Sequence, residues 1–110
     1  MTEKTFPISP ARLEEIIRQY PTPFHIYDER AIRENFRRFK RAFSWAPHFT
    51  EHFAVKATPN PRLLQLLSEE GAGTDCSSIA ELILSEAAGI KGEAIMLTSN
   101  DTPAEEFQKA

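Results

Sequence analysis

The chain has 110 residues, enough for one small domain or part of a larger one. Its composition is that of a globular protein, 41% hydrophobic and 26% charged, with eight phenylalanines for a core. A net charge of −3 gives no electrostatic reason to expect nucleic acid or an anionic membrane as partner. The single cysteine, Cys76, excludes an internal disulfide, and no Cys/His spacing suits a metal, His25, His48 and His52 being scattered. MTEKTFPISP lacks the apolar core of a signal peptide, and no run is long enough to span a membrane. A reducing, cytoplasmic setting is the expectation.

The first element is a helix from residue 9. Ser9 can cap it, Pro10 suits its first position, and Leu13, Ile16, Ile17 and Tyr20 share a face. Pro21 and Pro23 end it, and the alternating Phe24-His25-Ile26-Tyr27 predicts a short strand. Asp28 then caps a second helix whose apolar stripe is Ile32, Phe36, Phe39 and Phe43. Its basic residues Arg33, Arg37, Arg38, Lys40 and Arg41 read as a solvated face.

From residue 52 a repeat begins. A strand over 52–57 leads to a helix capped by Asn60, carrying Leu63, Leu64, Leu66 and Leu67 and stopping at Gly71. A strand over 74–77 leads to a helix with Ile79, Leu82, Ile83 and Ala87, stopping at Gly89. A third strand over 94–98 precedes a helix start at Thr102-Pro103. The glycines at 71, 73, 89 and 92 read as helix stops or turns. Strands about 20 residues apart, each followed by one helix, make consecutive right-handed βαβ units and a parallel sheet. The expected fold is α/β, about three βα units forming the first, incomplete part of a parallel (β/α)8 TIM-type barrel. Residues 1–27 form an N-terminal helix and strand segment, and residues 28–110 the first barrel units. A three-stranded parallel sheet has bare edges, so the chain alone is expected to be truncated and to self-associate.

Active sites of such sheets collect at the carboxyl ends of the strands. Here those ends are Lys56, then Asp75-Cys76-Ser77-Ser78, then Thr98-Ser99-Asn100-Asp101. Burial of Lys56 would disfavour its charged form and suit it to Schiff-base chemistry; otherwise it snorkels from a strand end or pairs with an acid. Asp75 is an ion partner of Lys56, a polar anchor near a cofactor, or an ordinary turn aspartate. Ser78-Ile79-Ala80-Glu81 has the spacing of a capping box, so Glu81 is a cap that could also line a pocket. Cys76 alternates with Asp75 and Ser77 and should face the helices as a small hydrophobe. No GxGxxG or GxxxxGK[ST] loop is present.

Three runs carry a family resemblance: PTPFHIYDERAIRENFRRFKRAF, then HFAVKATPNPRLLQLLSEEGAGTDCSSIAEL, then AIMLTSN. Together they resemble the start of the pyridoxal-phosphate-dependent ornithine, diaminopimelate and arginine decarboxylases, with an alanine racemase-like barrel. The closest branch is that of the diaminopimelate decarboxylases, and AVKA-x-PNP is the most specific segment.

The resemblance implies pyridoxal 5'-phosphate as cofactor, with Lys56 as the lysine that holds it and Asp75 and Glu81 as pocket residues. It implies a decarboxylase acting on a small-molecule amino acid substrate, meso-diaminopimelate to lysine in lysine biosynthesis, working as a homodimer in its full-length form. The ornithine and arginine type, the racemase relative, a non-catalytic cofactor-binding relative and a regulatory relative are the alternatives. Asp101 stands where the family commonly has a lysine, and Thr58 where it usually has an asparagine. Family features that come later in such chains, the phosphate loop among them, are absent here, so these 110 residues alone are expected to be inactive.

Overall fold

A computed structural model describes residues 5–109; the outermost ends of the two expected segments, residues 1–4 and Ala110, lie outside the described residues. The elements in chain order are α1 (Pro10–Gln19), α2 (Glu29–Ala42), β1 (His52–Ala54), α3 (Pro61–Glu69), β2 (Gly73–Cys76), α4 (Ile79–Ala87), β3 (Ile95–Leu97) and α5 (Ala104–Lys109). Single 3-10 turns follow β1 (Val55–Ala57) and precede β3 (Gly92–Ala94). The three strands form one parallel sheet in the order β1-β2-β3, with Phe53 opposite Thr74, and Thr74 opposite Ile95.

Four helices start where their caps predict. Ser9 accepts from Arg12 N–H at 3.3 Å, and Asp28 from Ala31 N–H at 3.0 Å. Asn60 accepts from Arg62 N–H at 2.9 Å and Leu63 N–H at 3.3 Å, and Ser78 from Glu81 N–H at 3.4 Å. α3 and α4 also stop by the same device. Gly71 and Gly89 have φ of +96° and +87°, a conformation glycine adopts without steric cost. Beyond each, the chain folds back: Ala72 N–H donates to Leu67 O, and Ile90 N–H to Ser85 O, both at 3.0 Å, which closes a Schellman motif.

The core sits between one sheet face and α3 and α4. Val55, Leu64, Cys76, Leu82, Ala88 and Ile90 are buried together, with Phe53, Ile95 and Leu97 packed against them. A second cluster joins Phe36 of α2 to Leu63, Leu67 and Ala72. Ion pairs tie the same two helices together. Arg33 reaches Glu70 at 3.0 Å and Glu69 at 2.5 Å, while Arg37 grips both oxygens of Glu70 at 2.6 and 2.7 Å.

Several expectations need correction. The basic run of α2 is not simply a solvated face, because Arg33 and Arg37 are engaged with α3. Residues 24–27 form no strand; no sheet neighbour pairs with them among the described residues, and alternation alone cannot satisfy a strand's backbone. Gly73 is neither stop nor turn but the first residue of β2. A Cβ there would come within 2.5 Å of both Ala94 O and His52 Cδ2. β1 and β3 are also shorter than read, the ladder after Ala54 giving way to the 3-10 turn that contains Lys56, while β2 keeps its length one residue earlier. None of the described helices is long and apolar enough to cross a membrane.

Candidate active site

Parallel pairing puts the carboxyl ends of β1, β2 and β3 along one rim. Sequence alternation then sorts the side chains. In β2, Thr74 and Cys76 are buried on the helix side, whereas Asp75 between them is half-buried on the other face with its register partners Ala54 and Met96.

Asp75 Oδ1 accepts a hydrogen bond of 2.5 Å from Thr98 Oγ1, just beyond β3. Thr98 is also held by its backbone, whose N–H donates to Cys76 O at 2.9 Å, so pairing with β2 continues one residue past the strand. The rim threonine was visible in the sequence as part of a polar strand end. Its bond to Asp75 was not, because that contact depends on the register between two strands.

Lys56 lies in the turn after β1 and is exposed, so the burial expected of it does not occur. Among the described residues it makes no hydrogen bond or ion pair, and Asp75 is not its ion partner. The amine therefore stands unpaired on the rim. Val55 beside it is completely buried and anchors the turn in the core.

Glu81 does what the capping-box spacing predicts, with a shift of one residue. Its Oε2 accepts from Ser77 N–H at 3.0 Å, and its Oε1 from Ser78 Oγ at 3.2 Å. Both oxygens are used by the turn that begins α4. Cys76 faces the helices as expected, fully buried, with Sγ 3.3 Å from Ser85 Oγ. Burial pushes its thiol up from the ordinary range, the reverse of what a nucleophile needs. A cleft of about 640 Å³ runs beside β1 and is lined by Tyr27, Ile32, Phe36, Phe39 and Phe53, but neither Lys56 nor Asp75 borders it. Among the described residues no group of three or more His, Cys, Asp or Glu could hold a metal ion.

Residues 29–110 match the model of the pyridoxal-dependent decarboxylase family, over its pyridoxal binding domain. The chain belongs to that family. Protein TabA of Pseudomonas amygdali pv. tabaci is 51% identical over 98 residues, covering 89% of this chain and 23% of that protein. The diaminopimelate decarboxylase of Methanothermobacter thermautotrophicus is 38% identical over 97 residues, covering 87% of this chain and 23% of that enzyme. Among solved structures, diaminopimelate decarboxylase from Helicobacter pylori complexed with L-lysine superposes with a TM-score of 0.80 at 33% identity, over 88% of this chain and 24% of that one. Lysine/ornithine decarboxylase from Vibrio vulnificus complexed with putrescine gives a TM-score of 0.80 at 25% identity, over 90% and 26%. The chain spans about a quarter of the length of the relatives it matches.

The fold of this pyridoxal-dependent decarboxylase chain is thus α/β, with a parallel sheet corresponding to part of its relatives' barrel. The rim fits the family's cofactor, pyridoxal phosphate, at one point. An aldehyde requires a primary amine that no ion pair consumes, and Lys56 is such an amine at a strand's carboxyl end.

Proposed function

We propose that the full-length protein is a pyridoxal-phosphate-dependent carboxy-lyase, that residues 28–110 supply the first units of its cofactor-holding barrel, and that residues 1–27 form a lead-in segment. The observation that carries this reading is the unpaired amine of Lys56 on the rim of a family-matched sheet. Bound pyridoxal phosphate supplies a ring that takes up the electron pair left when carbon dioxide departs.

The chain's own residues have narrower tasks. Lys56 offers the nitrogen that holds the cofactor's aldehyde carbon. The buried Val55 fixes the turn from which that nitrogen projects. Asp75 would hold a negative charge on the same rim and so favour the protonated form of a nitrogen brought near it. Glu81 acts through the Ser77–Ser78 turn that it caps, since both its oxygens are already engaged there.

For the substrate we propose meso-diaminopimelate, converted to lysine. Support comes from curated diaminopimelate decarboxylases at 32–40% identity, which stand below TabA at 51% and above the solved lysine/ornithine enzyme of Vibrio vulnificus at 25%. A cytoplasmic homodimer completes the proposal, as the family resemblance suggests.

Pyridoxal phosphate added to the full-length protein should produce a visible absorbance band that Lys56→Ala abolishes. Borohydride reduction followed by peptide mass spectrometry should place the cofactor on Lys56. A band that survives the substitution removes the reading. Carbon dioxide release from meso-diaminopimelate, compared with ornithine and arginine, tests the substrate, and preference for either of the latter overturns that part alone.

A further inference from the structure

The hydrogen bond between Thr98 and Asp75 links the side chains of β2 and the end of β3, and it lies on the rim that carries Lys56. Its length, 2.5 Å, falls at the short end of the range for a hydroxyl donating to an ionised carboxylate. Thr98 is itself well placed to hold a partner still. Its backbone is bonded to Cys76, and a β-branched side chain has few rotamers to choose from. In register, Met96 is opposite Asp75, so Thr98 lies one pleat further along the same face and reaches back to the carboxylate.

The bond takes Oδ1 and leaves Oδ2 without a partner among the described residues. An aspartate on an open rim would otherwise sample several rotamers, each aiming its charge differently. We propose that Thr98 is a positioning residue, fixing the rotation of the Asp75 carboxylate so that Oδ2 is the oxygen presented to a cofactor held by Lys56. The inference rests on the reading of Lys56 given above and adds a residue to it.

The expected effect follows from what water can replace. When the hydroxyl is removed, solvent can satisfy Oδ1, so the charge of Asp75 changes little, but its direction is no longer set. A carboxylate aimed at a protonated nitrogen keeps the proton there, and one that turns away lets it leave at lower pH.

The test is a pH titration of the visible band in the full-length protein, together with equilibrium binding of pyridoxal phosphate. Thr98→Val should lower the titration midpoint by about half a pH unit and weaken cofactor binding about fivefold. Thr98→Ser should restore both. In an Asp75→Asn background, Thr98→Val should have no further effect, because the two act as one unit. Should Thr98→Val fail to fold by circular dichroism, Thr98→Ala makes the same deletion with less steric demand.

An unchanged midpoint and affinity in the hydroxyl-free variant, with the band still lost in Lys56→Ala, overturns this inference and leaves the Lys56 reading intact. A Thr98→Val effect that persists in the Asp75→Asn background also overturns it, since Thr98 would then not act through the carboxylate. A band that survives Lys56→Ala removes both.

Discussion

Helices α1 and α2 both begin on a side-chain cap and both carry an apolar stripe, Leu13-Ile16-Ile17-Tyr20 in one and Ile32-Phe36-Phe39-Phe43 in the other. α1 nevertheless buries none of its side chains, and Ile17 and Tyr20 remain 43% and 61% exposed. α2 sinks Phe36 between Leu63, Leu67 and Ala72, and its arginines close on Glu70. An amphipathic pattern is thus enough to specify a helix but not its docking site. The site comes from partners on another element, an apolar pocket and an opposite charge together. Further along α2 the stripe turns to its own loop instead, where Phe43 stacks on Phe49 with centroids 4.4 Å apart.

The contrast can be broken most forcefully at Phe36. Phe36→Ala should cost about 3 kcal/mol in denaturant unfolding by emptying the α2–α3 contact. A loss below about 1 kcal/mol would mean that the ion pairs alone dock the helix. Gly73→Ala should be next, at about 2 kcal/mol, because the new methyl meets a backbone carbonyl and His52.

A smaller effect is expected from the ion pairs. Hydrogen bonds from Arg37, then from Arg33, hold the Glu70 carboxyl down to about 2 from an ordinary 4.5. Its contribution to stability is therefore complete above the ordinary value and lost as pH falls from there towards 2. Glu70→Gln should flatten that acid limb of a stability–pH curve, and added salt should weaken the same contribution in the parent protein. The smallest change is expected in α1, where Ile17→Ala should stay within about 0.5 kcal/mol. A larger loss would show that α1 has a packing partner in the full-length protein.

What could be read from the sequence divides along the same line. Caps, glycine stops and the order of βα units rest on residues close together in the chain, so Ser9, Asp28, Asn60 and Ser78 announced their helices. Residues 24–27 misled because a strand exists only through its neighbour. The grip of Arg33 and Arg37 on Glu70, more than 30 residues away, and the bond from Thr98 to Asp75 are likewise products of packing. At the rim, sequence placed Lys56 at the right edge of the sheet but gave it a burial that it lacks. The short strand β1 gives way to a separate 3-10 turn, and that turn leaves the lysine exposed.

The way Glu81 closes the start of α4 has a consequence for anion binding at that point. Free N–H groups at a helix start ordinarily attract phosphate or carboxylate from solution. Here Ser77 N–H is already claimed by a carboxylate belonging to the same helix. An incoming anion would have to evict a tethered competitor that diffusion cannot carry away, and it would meet a like charge while doing so. That one donor at the start of α4 is thus self-occupied, and an anion settling there would have to use others.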